Sequence, residues 1–339
     1  MTDELLRRAQ LKEAGPALDN LVQVLALSRN LRNKASLDAY LAGVEVEKDA
    51  LKGLDLWLAR GKPDLKLLRH LLLELNRHAA ETPPAVDCLR TECFRSSGFL
   101  LNPSDLVLPP PGEAGKVPEP WLRGSIALSL EVPWEAERNT RIWQLVWAGL
   151  FRAVETPHWQ LPEPAEIPLT AKPETRNILQ HWLPAAEGAG AAETRVRIFR
   201  LVDSSWLSDD RLFCPIVQLR EASTRARCRV DATRLAIALS LYHLDEGKPA
   251  KELQDLAPKY LPTGLPTDPH SGQSYRYRIA PRNEPLNDIG AVPGQGIVWS
   301  TGPDRVDHGG RTDGGHLPDD DPQWSRGEFD LITLVPQWP

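Results

Sequence analysis

The chain has 339 residues, 41% of them hydrophobic and 25% charged, enough for two or three domains with real cores. Outside the stretch 304–330 its 38 acids and 37 bases nearly cancel, which argues against the basic face that nucleic-acid binding needs. No run of about 18 apolar residues reads as a membrane span, and "MTDELLRRAQLKEAG" lacks the apolar core of a signal peptide.

The first hundred residues read as helix. Leu18, Leu21 and Leu25 begin one apolar stripe. Leu37, Leu41, Val44, Leu51, Leu54 and Leu58 continue at helical spacing, with Ser36 as the N-cap. "ARGKPD" breaks this helix, and Pro63-Asp64 opens a third with Leu68, Leu71 and Leu75 inward. Pro83 and Pro84 introduce a fourth through "AVDCLRTECFRSSGFL". Short breaks between amphipathic helices favour antiparallel packing, so residues 1–100 are expected to form an all-α, bundle-like domain. His70 and His78 lie on the third helix without a third metal ligand and are expected at the surface or at its boundary.

A proline-rich linker follows over 101–125, its PPP core extended. Residues 126–224 read as a helical and irregular middle region. In it, "PWEAERNTRIWQLVWAGLFRAV" is a helix with Ile142, Val146, Leu150 and Ala153 on one face and Trp134, Trp143 and Trp147 adding bulk. Glu131, Glu135 and Glu137 crowd the start of that helix, where they complement its dipole rather than form a glycosidase acid pair. "TRNILQHWL" reads as a short helix, and "TRVRIFRLVDSSWL" fits strand and helix equally.

The last segment, 225–339, is a compact α+β unit: one long helix and then three short antiparallel strands. Cys228, Ala232, Leu235, Leu239 and Tyr242 share a helical stripe, Gly247 stands at the C-terminal cap, and Pro249 lies just beyond. "AKELQDLAPKYL" reads as a short helix and "PTDPHSG" as a turn, with "SYRYRI", "GIVWS" and "FDLITLV" as strands. The fold class expected for the whole chain is mainly α with a C-terminal α+β unit.

Several positions of this segment resemble the globular region of type II secretion pseudopilins and related type IV pilin-like proteins. They are Ala238-Leu239, Leu241-Tyr242, Asp245, Gly247 and Pro249, then Asp268-Pro269, Gly272, Tyr275 and Tyr277. Ser300, Gly302, Asp304 and Asp330-Leu331 close the pattern. The chain as a whole is similar to uncharacterised planctomycete-type envelope proteins, in which a helical region precedes such a tail. The resemblance implies a long helix packed on a small antiparallel sheet, a protein-interaction role in the cell envelope, and a link to secretion. It departs from a true pilin in having an all-helical domain before Arg225 and His270 in place of the turn aromatic. Filament assembly through a buried half-helix is therefore not expected, and membrane association would require an anchor encoded upstream of Met1.

Charge sharpens the reading of the closing loop. Between Asp304 and Asp330 stand eight acidic and three basic residues, so five of the six net negative charges fall in this stretch. In many pseudopilins the equivalent loop binds calcium, a hard cation that takes six to eight oxygens. The resemblance thus implies a calcium site drawing on Asp304, Asp307, Asp313 and Asp330, with glycines between them. The spacing fits neither an EF-hand nor a nonapeptide repeat, so a solvated acidic loop is the competing reading. His308 and His316 are the residues a softer metal would use.

No G-x-S-x-G elbow, H-E-x-x-H or phosphate loop is present. Two other functions remain open: an extracytoplasmic hydrolase using the loop aspartates with His308 or His316, and a cytoplasmic helical scaffold. Cys88, Cys93, Cys214 and Cys228 lack zinc-ligand spacing and read as buried free thiols, or as a disulfide in an oxidising compartment.

Overall fold

The computed structural model describes residues 14–61, 64–101, 132–160, 210–280, 292–303, 305–310 and 331–336. It is mainly helical with one three-stranded antiparallel sheet. Helices α1 (Ala14–Arg32), α2 (Leu37–Gly61), α3 (Leu65–Glu81) and α4 (Ala85–Leu101) follow the sequence reading closely. Local chemistry sets their starts. The Ser36 hydroxyl accepts the Ala39 amide, and the Asp64 carboxylate accepts the Leu67 amide at 2.8 Å, each satisfying an orphan first-turn donor.

Helices α1 and α2 cross closely at Gly43. A Cβ there would stand 2.8 Å from Arg32 Cγ and 2.9 Å from the Ser28 carbonyl, so only glycine lets the two backbones meet. The inward face of α2 carries Tyr40 and Val44 at this crossing; Leu37 and Leu41, expected inward, are only half-buried.

Helix α5 (Pro133–Glu155) packs on α4, burying Trp143, Trp147 and Leu150 while Trp134 stays 66% exposed. Trp143 and Trp147 meet edge to face with ring centroids 5.5 Å apart. Leu101, the first residue of the expected linker 101–125, closes α4; the rest of that linker, the segments "TRNILQHWL" and "TRVRIFRLVDSSWL", and most of the acidic stretch lie outside the described residues.

Helix α6 (Asp210–Glu246) spans 37 residues, so it starts well before the position read from the sequence and runs through residues 224 and 225 without a break. One side of it packs on α2 and α3 and the other on the sheet. Every residue from Val230 to Leu241 is therefore buried. A helix between two layers needs apolar or paired residues on all faces, which is why no narrow stripe describes it. Gly247 ends it in the left-handed region, φ +67°, with its amide on the His243 carbonyl.

A 3-10 turn (Leu253–Leu256) follows, then strands β1 (Arg276–Ile279), β2 (Gly296–Ser300) and β3 (Leu331–Leu334) in the order β1-β2-β3. Tyr277 pairs with Val298, and Val298 with Thr333. Strand alternation sends Val298 into the core shared with α6 and the helical layer, while Ile297 and Trp299 pack on the far face with Ile332 and Leu334. One continuous cluster runs from Leu18 through Leu71 and Leu239 to Val335. The helical layer and the α+β unit thus bury their apolar surface against each other.

Candidate functional site

Two polar assemblies are buried at the seam between the helical layer and the α+β unit, and both open into the same cleft.

The first grows from the α1–α2 crossing. Arg32 is 2% exposed; its Nη2 lies 3.0 Å from Glu47 Oε2 and donates to the Gly43 carbonyl at 3.2 Å. The guanidinium also stands over the Tyr40 ring, 5.7 Å from its centroid. Glu47 in turn meets His78 Nε2 at 2.5 Å, and Arg29 Nη1 lies 3.0 Å from His78 Nδ1. Because a guanidinium only donates, Nδ1 accepts, and the proton toward Glu47 sits on Nε2. His78 is fully buried, which corrects the expectation of a surface or boundary residue; His70 on the same helix is exposed as expected. Burying a charge in this way is tolerable only when it is paired, and each of these groups has a partner. Burial, only partly offset by Arg32, pushes the Tyr40 hydroxyl up to about 12.

The second assembly centres on Asp268, 1% exposed, in the turn before β1. Its Oδ1 accepts the His270 amide at 3.0 Å and the Ser300 hydroxyl at 2.8 Å. Its Oδ2 accepts the Ser271 hydroxyl at 2.8 Å, the Thr301 amide at 3.2 Å and the Thr301 hydroxyl at 3.3 Å. The carboxylate therefore ties the turn to the end of β2. Ser300 lies on the helix-facing side of its strand, where the Cys228 thiol of α6 approaches it at 4.0 Å. Burial, with Asp268 and Asp231 nearby, pushes the Cys228 thiol far above its ordinary range despite the Tyr275 and Ser300 hydroxyls beside it. Such a thiol is no nucleophile at neutral pH. A hydroxyl that donates directly to a carboxylate, with no histidine between them, is a structural tie rather than a catalytic relay.

Gly272 closes this turn at φ +70°, and a Cβ there would lie 2.6 Å from the Trp159 ring. The indole that covers the turn thus comes from the segment after α5 rather than from the turn itself, where the sequence has His270. Chain proximity gave no sign of that contact.

Between the assemblies lies a cleft of about 880 Å³. Arg32 and Glu47 line one wall, and Arg220, Arg227, Asp231 and Arg234 of α6 line another. Asp231 and Arg234 pair at 2.6 Å, and Arg234 Nε also donates to Asn76 at 2.7 Å. The sequence reading passed over Arg234 and Asp231. Their 3-residue spacing on a helix was the available signal.

Of the four candidate calcium ligands, Asp307 alone is described; Asp304, Asp313 and Asp330 lie outside the described residues. Asp307 Oδ1 accepts the Trp299 indole at 3.0 Å and the Gly309 amide at 2.9 Å, and Oδ2 faces Arg276 Nε at 3.3 Å. Two neutral donors and the Arg276 guanidinium already serve this carboxylate, so a calcium ion drawing on it would have to compete with Arg276. No group of three histidine, cysteine, aspartate or glutamate side chains able to hold a metal occurs among the described residues. Cys88, Cys93 and Cys228 are free thiols. No described helix is long and apolar enough to cross a membrane.

No protein-family model, no curated protein and no solved structure matches the chain. What is known of its chemistry therefore comes from its own residues.

Proposed function

We propose that this chain is a non-enzymatic protein of the cell envelope whose C-terminal third is a pseudopilin-like module for protein contacts, secretion-related and stabilised by calcium. One observation carries the reading. Residues that match the pilin-like pattern yet lie far apart in sequence, Asp268 and Ser300, meet in a single buried hydrogen-bond cluster at the edge of the sheet. Gly302 joins it, its amide donating to the Ser300 hydroxyl at 3.3 Å. Asp245, another matching position, accepts the Tyr260 hydroxyl at 2.9 Å and pairs with Arg69 at 3.1 Å. This ties the end of α6 to the helical layer. A pattern whose members serve one another's packing is the kind retained when a module is reused.

The Ser300 and Thr301 hydroxyls are spent on a buried carboxylate tie that stiffens the module, a use that suits a contact surface. Calcium enters through the resemblance and the carboxylate stock of the closing stretch, Asp304, Asp307, Asp313 and Asp330.

Fractionation of cells producing the chain from its own locus, combined with cross-linking, tests the proposal. Recovery with envelope components is the expected result, and recovery wholly in the cytosolic fraction overturns it. Calorimetric titration with calcium at millimolar concentrations tests the metal separately: no heat of binding removes calcium from the proposal.

A further inference from the structure

Among the described residues four acids and four arginines line the cleft, and they differ in how far their hydrogen-bonding capacity is already used. Among its acids, Glu47 is held by Arg32 and His78, and Asp231 by Arg234. Asp268 is taken up by the Ser300 and Thr301 donors, and Glu155 by Arg90 at 3.4 Å. Among its bases, Arg32 and Arg234 are engaged in those same pairs. Arg227 reaches Asp231 only at 3.7 Å and is 66% exposed. Arg220 lines the cleft half-buried and makes no ion pair with any described residue. Burial lowers its pKa below the ordinary arginine value; Glu221 offsets this and Arg305 adds to it. Among the described lining residues, the groups with donors still to spare are therefore the guanidinium groups of Arg220 and Arg227.

Arg220 and Arg227 are seven residues apart on α6, so they lie on one helix face about 10 Å apart along the axis. Ser223 and Thr224 stand between them on the cleft wall. Pro157, Pro266 and Pro269 and the 42% exposed Trp159 supply rigid apolar surface alongside. Guanidinium forks match carboxylates in shape, and aromatic and proline walls suit an extended chain. An extended threefold segment repeats about every 9 Å, which brings acidic side chains three residues apart into reach of both arginines.

We propose that this cleft is the docking groove for an acidic, extended peptide segment of a protein partner, whose carboxylates pair with Arg220 and Arg227. The inference rests on the interaction-module reading for the class of partner and adds the site and the chemistry of recognition.

Fluorescence anisotropy of the full chain with fluorescein-labelled hexaglutamate at low ionic strength tests it. Saturable binding is expected, weakened about tenfold or more by Arg220→Glu and by Arg227→Glu, as for the loss of one charge-assisted contact and its replacement by repulsion. Arg77→Glu, on the exposed part of α3 outside the cleft lining, should leave the affinity within about twofold of wild type. Arg220→Gln shortens the side chain and drops the charge while keeping a polar amide that is milder than a carboxylate, so it should also weaken binding even if the glutamate variant fails to fold. Unchanged affinity in a folded Arg220→Gln variant overturns the proposal. So does equal binding of labelled hexalysine, or complete displacement of hexaglutamate by millimolar inorganic phosphate, which would mark a small-anion site. Failure here leaves the envelope fractionation untouched, and a cytosolic location would leave this titration intact.

Discussion

The Ser300 hydroxyl donates to Asp268 Oδ1 at 2.8 Å, across 32 residues of chain, and so fastens the turn before β1 to the end of β2. Asp268→Ala removes the acceptor for five donors in a buried setting. It should lower unfolding stability by about 3 kcal/mol, while Asp268→Asn, which keeps one acceptor oxygen, should cost about half as much. Urea denaturation reads both, and an alanine variant of wild-type stability would show that the turn is held by other contacts.

Glu47 lies between two buried partners, Arg32 and His78. Glu47→Gln should cost about 3–5 kcal/mol, because it strands the Arg32 guanidinium without a counter-charge. Replacing both Arg32 and Glu47 by methionine should cost less than the sum of the single changes. A double-mutant cycle measures this, and strict additivity would mean the pair is not coupled.

Acid stability carries a signature of Asp307. Partial burial raises its carboxyl, but the Trp299 indole, the Gly309 amide and Arg276 outweigh this and hold it below the ordinary value of 3.8. A depressed carboxyl binds its proton more weakly folded than unfolded. Its contribution is therefore complete above 3.8 and is lost as the pH falls from there through the lower folded value. Melting temperatures of wild type and Asp307→Asn should differ at neutral pH and converge as the pH falls below 3.8 through the lowered folded value. A constant gap would rule out this linkage.

Thiol reactivity should divide the cysteines. Burial, with Glu92 and Asp38 nearby, pushes Cys88 up to about 12, and burial raises Cys228 further still. In native protein at neutral pH a disulfide reagent should modify half-buried Cys93 before either of them, and Cys88 and Cys228 only on unfolding. Rapid native labelling of Cys228 would contradict its packing against Ser300.

Gly272→Ala forces a β-carbon into the Trp159 ring and strains a residue at φ +70°. A loss of about 2 kcal/mol or more is expected in thermal or urea unfolding. Adding Trp159→Ala should recover the steric part and leave the backbone strain.

Much of the helical layer was legible in the chain itself. Ser36 and Asp64 stand where first-turn amides need acceptors, and the leucine spacing of α3 marks its buried face, so local chemistry sufficed. The strands "GIVWS" and "RYRI" were legible for the same reason, because a short apolar run in the first, alternation in the second and flanking turn residues act over a few positions. His78 was misread because its role depends on Arg29 and Glu47, which lie 49 and 31 residues away on other helices.

The sequence by itself determined where most helices and strands begin and where the net negative charge accumulates, since capping, periodicity and charge are properties of neighbours along the chain. Only the tertiary structure decided that α6 is enclosed by two layers, that Asp268 serves Ser300 and Thr301, and that Arg220 and Arg227 face a cleft whose acids already have donors. Those outcomes depend on which surfaces exclude water together, and burial makes an unpaired polar group costly enough to select its partner from a distant part of the chain.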